Sequence, residues 1–127
     1  MKQPGFWRSV TYAWQGLVYT VQTQRNARIH LFVGSVVFVV AGWLNLDTVR
    51  WSVLVLTIGG VLAAETINTT VEAVVDLLSP EWHAQAKVAK DVAAAGVLIL
   101  SMTAVVIGLL ILGPPLCHRL LELQNKG

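Results

Sequence analysis

The chain has 127 residues, of which 55% are hydrophobic and 13% are charged. That charged fraction is about half of the roughly 25% typical of soluble domains, which argues against a water-soluble globular protein. The formal net charge of +2 is too small, and the basic residues are too scattered, for a nucleic-acid-binding surface. We therefore expect no nucleic-acid partner and a single domain over residues 1–127, in an all-α membrane protein.

The cysteine content and the N-terminal sequence exclude further classes of protein. The single cysteine, Cys117, excludes an internal disulfide and offers no zinc-site spacing. We interpret it as a small apolar residue at the end of a membrane helix. The N-terminal stretch MKQPGFWRSV lacks the uninterrupted apolar core of a signal peptide, so we expect it to be retained in the cytoplasm.

The first predicted element is a helix over about residues 6–24. Its apolar residues recur at intervals of three and four, which is the period of one helix face. They are Trp7, Val10, Trp14, Leu17, Val18 and Val21. This pattern predicts an amphipathic helix lying on the membrane surface. A helix packed on the core of the bundle has the same periodicity and stays open as the alternative.

Three later segments are apolar enough to cross a bilayer, for which a helix needs about 20 residues. The predicted spans cover about residues 29–46, 51–78 and 92–116, the second with a polar-striped cytoplasmic extension. Pro80 is predicted to end the second span, and the GPP at 113–115 to close the third. We interpret Gly59-Gly60 and the AAAG at residues 93–96 as points of close helix packing.

The distribution of basic residues predicts the orientation of the spans. Six lie on one side, namely Lys2, Arg8, Arg25, Arg28, Lys87 and Lys90, and three lie on the other, namely Arg50, Arg119 and Lys126. Because cytoplasmic loops are enriched in Lys and Arg, the N-terminus and the 65–91 segment are predicted to face the cytoplasm.

Three carboxylates interrupt the apolar character of the second span. At about 100° per residue, Glu65, Asn68, Glu72 and Asp76 fall on one narrow stripe of the helix. If Trp51 marks the outer interface, Glu65 lies about 21 Å inward, just inside the hydrocarbon boundary. Ionisable groups at such depth cost about 2.5 to 3.5 kcal/mol and usually face a cavity or a partner. We interpret the stripe as a functional site.

The stripe has residue types suited to phosphoryl transfer. Two acids can hold Mg²⁺, a lysine can neutralise phosphate, and a desolvated acid can serve as a base. The hydroxyl of a membrane lipid lies at headgroup depth, and Glu65 is level with it. Acids inside a bundle also conduct protons or bind ions in transporters, so a non-enzymatic ion-conducting or structural subunit stays open as an alternative.

Further charged residues lie at the start of the third span, in HAQAKVAKDVAAAG. His83 and Lys87 are four residues apart, as are Lys87 and Asp91, so each pair shares a helix face. Lys90 lies on a neighbouring ridge. These residues are candidates for the same site. The alternative, favoured for Lys87, is that they form helix-surface ion pairs and mark the bilayer boundary.

The two stretches ETINTTVEAVVDLL and HAQAKVAKDVAAAGVLI closely resemble the signature of the small prokaryotic integral-membrane diacylglycerol kinases, a family of lipid kinases that includes undecaprenol kinases. YAWQGL and RNARIH extend the resemblance over most of the chain. It implies ATP-dependent, Mg²⁺-requiring phosphorylation of a membrane lipid alcohol, with diacylglycerol as acceptor and undecaprenol as the alternative. It also implies a homotrimer with sites between subunits, in the bacterial inner membrane.

The resemblance further implies a role for individual residues. Glu65 matches the family's proposed general base, and Glu72 matches its principal metal ligand. The remaining matches are to residues at or near the nucleotide and its phosphates, namely Asn68, Asp76, His83, Lys90, Asp91 and, only approximately, Arg8. Most relatives carry a metal-binding glutamate where this chain has Gln24. A neutral amide is a weaker Mg²⁺ ligand, so either another group completes the shell or activity is weaker.

Overall fold

The computed structural model describes residues 5–125, which form four helices. They are α1 (Phe6–Thr23), α2 (Arg25–Trp43), α3 (Thr48–Leu78) and α4 (Ala84–Gln124). The last three are each long and apolar enough to cross a membrane. The prediction of an all-α chain with three candidate spans is therefore confirmed. Lys2 and Lys126, which contribute to the predicted orientation, lie outside the described residues.

The helix bounds differ from those of the predicted spans. All three helices begin earlier than predicted, because backbone hydrogen bonding continues through polar residues that a search for apolar segments leaves out. α2 begins at Arg25, four residues before the predicted start, and ends at Trp43 rather than at residue 46. α3 begins at Thr48, three residues early. α4 begins at Ala84, eight residues before the predicted third span.

The predicted closure of the third helix at GPP is wrong. α4 continues through Pro114 and Pro115 to Gln124. Each proline removes one backbone N–H donor, but its fixed φ is compatible with a helix. Neighbouring groups can compensate for the lost hydrogen bonds in membrane helices, so prolines are tolerated there. Cys117 accordingly lies within the helix and is exposed.

The turn between α2 and α3 depends on two polar residues. Asn45 has φ 51°, in the left-handed region that asparagine adopts more readily than most residues. Asp47 caps α3, because its carboxylate accepts the backbone N–H groups of Val49 and Arg50 at 3.0 and 3.1 Å. Hydrogen bonding from the Arg50 backbone lowers the pKa of Asp47. The cap therefore stabilises the fold above the ordinary carboxyl pKa and is lost as the pH falls through the lowered value.

α3 is the central helix and packs against each of α1, α2 and α4. Among the described residues, few apolar side chains are buried, namely those of Ala27, Ala41, Leu54, Val61 and Val97. Many large apolar side chains on α2, α3 and α4 are exposed instead. This distribution suits helices whose surroundings are lipid or further protein rather than water.

Close helix packing occurs at a different glycine from the predicted ones. A Cβ added at Gly59, Gly60 or Gly96 would meet no atom within 4 Å among the described residues, so that prediction is wrong for the single chain. A Cβ added at Gly34 would lie 3.0 Å from Cγ2 of Ile58. Ile58 is β-branched and stiff at χ1, so its side chain cannot easily move aside. α2 and α3 can therefore approach this closely only because residue 34 is a glycine.

Replacing Gly34 with valine should destabilise the fold, because the added branches would overlap the Ile58 side chain. We expect a cost of about 1 to 3 kcal/mol, seen as a lower midpoint of thermal unfolding in detergent micelles followed by circular dichroism. Gly108→Val is the matched control, since an added Cβ there meets nothing within 4 Å. Equal effects of the two substitutions would contradict the close approach at Gly34.

Candidate functional site

Glu65 is almost completely enclosed, with 1% of its surface exposed. It lies in α3, and its Oε1 atom is 3.3 Å from Nε2 of His30 on α2. This contact is a close approach of two ionisable groups and not a hydrogen bond, since Oε1 has no hydrogen-bond partner in the described part of the chain. A buried carboxylate oxygen is normally hydrogen-bonded, so this atom is placed to accept a proton from a bound group.

His30 also reaches α4. Its Nε2 atom lies 3.3 Å from the hydroxyl oxygen of Ser101, and that hydroxyl donates to the backbone carbonyl of Val97 at 2.8 Å. Neither His30 nor Ser101 is among the sequence-predicted site residues. The sequence feature that could have indicated His30 is a polar imidazole at the start of an apolar span. Ser101 gives no comparable signal, because serine in a membrane helix commonly bonds its own backbone.

Glu72 lies two turns along α3, and both of its carboxylate oxygens accept amide hydrogens. The Gln24 amide donates to Oε2 at 2.6 Å, and the Asn68 amide donates to Oε1 at 3.1 Å. The structure thus brings together three of the sequence-predicted residues. Because Gln24 separates α1 from α2, its hydrogen bond also ties the end of α1 to α3.

The Glu72 cluster, which comprises Gln24, Asn68 and Glu72, fits a Mg²⁺ ion by the chemistry of its atoms. Asn68 Oδ1 is buried without a hydrogen-bond partner among residues 5–125, although oxygen is the ligand that Mg²⁺ prefers. A half-turn of the Gln24 amide would replace its NH₂ group by a second neutral oxygen. The described residues contain no group of three or more His, Cys, Asp or Glu side chains that could hold a metal. A single carboxylate with amide oxygens and nucleotide phosphates is nevertheless a usual Mg²⁺ shell.

A second cluster lies at the start of α4. Lys90 forms an ion pair with Asp76 of α3, and Lys87 pairs with Asp91 one turn along α4. The pair of Lys87 with Asp91 lies on the helix surface, as the favoured alternative for Lys87 predicts, since both side chains are more than half exposed. With His83, these residues line a cleft of about 430 Å³ between the end of α3 and the start of α4.

His83 has a structural contact of its own in this cleft. Its Nδ1 atom accepts the backbone N–H of Gln85 at 3.2 Å, so the imidazole caps the N-terminus of α4. The remaining ring nitrogen carries no hydrogen bond to the described residues. His83 can therefore cap the helix and contact a ligand at the same time.

Residues 11–112 match the protein family described as prokaryotic diacylglycerol kinase. The chain belongs to this family. It is 44% identical over 114 residues to a diacylglycerol kinase of Synechocystis sp., covering 89% of this chain and 65% of the relative. It is 35% identical over 111 residues to the undecaprenol kinase of Bacillus subtilis, covering 87% and 90%. Identity to the diacylglycerol kinase of Escherichia coli K12 is 31% over 99 residues, covering 78% and 81%. The resemblance inferred from the sequence is thus confirmed.

In this member of the prokaryotic diacylglycerol kinase family, Arg8 stands apart from both clusters. It lies in the first turn of α1, about 15 residues and so roughly 23 Å of helix from Thr23. Its side chain is exposed, and its guanidinium forms no ion pair with the described residues. Within the single chain, Arg8 is therefore not assembled into the site that the sequence predicts.

The fit of the Glu72 cluster to a cation can be tested with Gln24→Glu. Without Mg²⁺, we expect a lower midpoint of thermal unfolding in micelles, because two adjacent carboxylates repel each other. With Mg²⁺, we expect the midpoint to rise by more than in the unsubstituted chain, because the ion binds between them. Gln124→Glu, at the far end of α4, is the control. The same Mg²⁺ response in both variants would contradict a cation site at Glu72.

Proposed function

We propose that the chain is an ATP-dependent lipid kinase that phosphorylates a membrane lipid alcohol, with diacylglycerol as acceptor and phosphatidic acid as product. The observation that carries the proposal is the Glu65 side chain. It is buried, and its Oε1 atom lacks a hydrogen-bond partner in the described chain. The family and the named relatives support the same activity.

The depth of Glu65 suits a lipid acceptor. Fourteen residues separate it from Trp51 along α3, which is about 21 Å of helix in a hydrocarbon layer roughly 30 Å thick. Glu72 and Asp76 lie about two and three turns farther along α3, towards the headgroups and water. The stripe therefore runs from the level of the lipid hydroxyl to the level at which a water-soluble nucleotide can bind.

In the proposed reaction, Glu65 accepts the proton of the acceptor hydroxyl. The hydroxyl oxygen then bonds to the γ-phosphorus while the bond from that phosphorus to the bridging oxygen breaks, so ADP leaves. Glu65 later releases its proton to solvent. Positioning of the hydroxyl and stabilisation of negative charge supply most of the catalysis in such transfers.

The other site residues are proposed to act on the nucleotide. Glu72, Asn68 and Gln24 would hold Mg²⁺, which when bound offsets phosphate charge. Lys90 is paired with Asp76 in the nucleotide-free chain, so a bound phosphate would take the place of that carboxylate as its partner. His83 and Asp91 line the same cleft and are placed to contact the nucleotide.

Undecaprenol is the second candidate acceptor. The observation that favours it is the match to the Bacillus subtilis undecaprenol kinase, which extends over 90% of that protein, against 65% of the Synechocystis diacylglycerol kinase. The two acceptors differ in their chains, whereas both present a hydroxyl near the headgroups. The proposed chemistry at Glu65 is the same for both.

We also propose that α1 lies on the cytoplasmic surface of the bacterial inner membrane and that the chain forms a homotrimer. Exposed aromatic rings along α1 support the surface position, since Trp7 is 79% and Trp14 is 66% exposed and such rings favour the membrane interface. The isolated position of Arg8 and the extensive exposed apolar surface support assembly with further copies. In a trimer, Arg8 would contact a nucleotide bound largely by another subunit.

The activity is tested with purified protein in mixed micelles and labelled ATP, offered diacylglycerol, undecaprenol and ceramide in parallel. We expect phosphate to appear in diacylglycerol. Glu65→Gln should lower turnover by at least about 100-fold while leaving ATP binding intact, because the amide cannot accept the hydroxyl proton. Glu122→Gln, near the far end of α4, is the control. Wild-type turnover in Glu65→Gln would remove the assigned base, and no lipid product from any acceptor would refute the proposed function.

The proposed orientation places Cys117 on the outer side of the membrane. Because it is the only cysteine and is exposed, a membrane-impermeant maleimide should label it in intact spheroplasts. The variant Cys117→Ser with Ser79→Cys places the thiol at the cytoplasmic end of α3, where labelling should require lysed cells. The reverse pattern of labelling would contradict the orientation.

A further inference from the structure

The contacts of Ser101 bear on which ring nitrogen of His30 carries a hydrogen. The Ser101 hydroxyl donates its one hydrogen to the Val97 carbonyl at 2.8 Å. Its oxygen can therefore only accept from the imidazole, whose Nε2 atom is 3.3 Å away. The contact is then a hydrogen bond when Nε2 of His30 carries a hydrogen, which it donates to Ser101.

The same Nε2 atom lies at an equal distance, 3.3 Å, from Oε1 of Glu65. An N–H of Nε2 directed towards Ser101 lies beside the carboxylate without bonding to it, and Oε1 has no hydrogen-bond partner among the described residues. The positive edge of the imidazole stabilises the buried carboxylate electrostatically. An N–H donated directly to Oε1 would instead compete with the acceptor hydroxyl for the same oxygen.

We propose that Ser101 and His30 form a positioning pair that keeps Oε1 of Glu65 free for the acceptor hydroxyl. Ser101 on α4 holds the imidazole of α2 in a fixed orientation beside the carboxylate of α3. The inference rests on the proposed function, because it assumes that Glu65 accepts the hydroxyl proton. Neither member of the pair exchanges a proton with the substrate.

Ser101→Ala removes the hydroxyl that fixes the imidazole, so the N–H becomes free to turn to Glu65. We expect kcat for lipid phosphorylation to fall by about 3- to 10-fold with an unchanged KM for ATP. Ser101→Thr should keep kcat within about twofold, because a threonine hydroxyl can make the same bond to the carbonyl four residues before it. Thr103 makes that bond to Ile99 at 2.9 Å on the same helix. Unchanged kcat in Ser101→Ala, or an equal loss in Ser101→Thr, would overturn the proposal.

A double-substitution cycle separates this role from a general effect on packing. His30→Asn keeps a polar amide but ends short of the Nε2 position. If Ser101 acts only through the imidazole, Ser101→Ala should lower kcat no further in the His30→Asn background. Independent losses that multiply in the double variant would overturn the proposal. Thermal unfolding in micelles should change little for Ser101→Ala, because its hydroxyl bonds mainly its own helix.

The position of the hydrogen is measurable without any activity. The chain has three histidines, His30, His83 and His118, and ¹⁵N-histidine NMR in micelles distinguishes their ring nitrogens, with His30→Asn providing the assignment. We expect a hydrogen on Nε2 of His30 that exchanges faster with water in Ser101→Ala than in the unsubstituted chain. An unprotonated Nε2, or unchanged exchange, would overturn the pair. This result stands apart from the proposed function, which fails only if no lipid alcohol is phosphorylated.

Discussion

The organisation of the site depends on the cost of placing an ionisable group in apolar surroundings. The fourteen residues before Glu65 contain no ionisable side chain, and Glu65 itself is 1% exposed. Burial of a carboxylate is costly unless nearby groups compensate for the lost water. α2 supplies an imidazole for this purpose, and α4 supplies the hydroxyl that holds it. Residues of three helices, α2, α3 and α4, thus meet at one level of the bundle to accommodate the Glu65 side chain.

α3 orders the parts of the site by depth. Glu65, Glu72 and Asp76 follow one another along one face, and each contacts a different helix or segment: α2 at the deepest point, Gln24 at the middle point and α4 at the outermost point. The deepest carboxylate has an oxygen without a hydrogen-bond partner among residues 5–125, whereas the two outer carboxylates are paired with polar or basic groups. This gradient matches a reaction between a lipid hydroxyl and a charged nucleotide. Along α3, Glu65 and the ion pair of Asp76 with Lys90 are about three helical turns apart.

Much of this arrangement was predictable, because it depends on periodicity within single helices. The stripe of Glu65, Glu72 and Asp76 follows from helical geometry alone, and the three candidate spans follow from hydropathy. The contacts of His30 and Ser101 were not predictable, since they depend on the relative rotation of α2 and α4. The passage of α4 through Pro114 was missed because proline weakens a helix without always ending it. The isolation of Arg8 was also not predictable, since its contacts depend on tertiary and quaternary structure.

The central claim is that the free oxygen of Glu65 receives the proton of a lipid alcohol. The most direct measurement is a crystal structure of the chain with Mg²⁺, a non-hydrolysable ATP analogue and diacylglycerol. We predict that the acceptor hydroxyl oxygen lies about 2.6 to 3.2 Å from Oε1 of Glu65, on the side nearest the γ-phosphate. An acceptor hydroxyl bound beside a different carboxylate, with Glu65 facing only acyl chains, would contradict it.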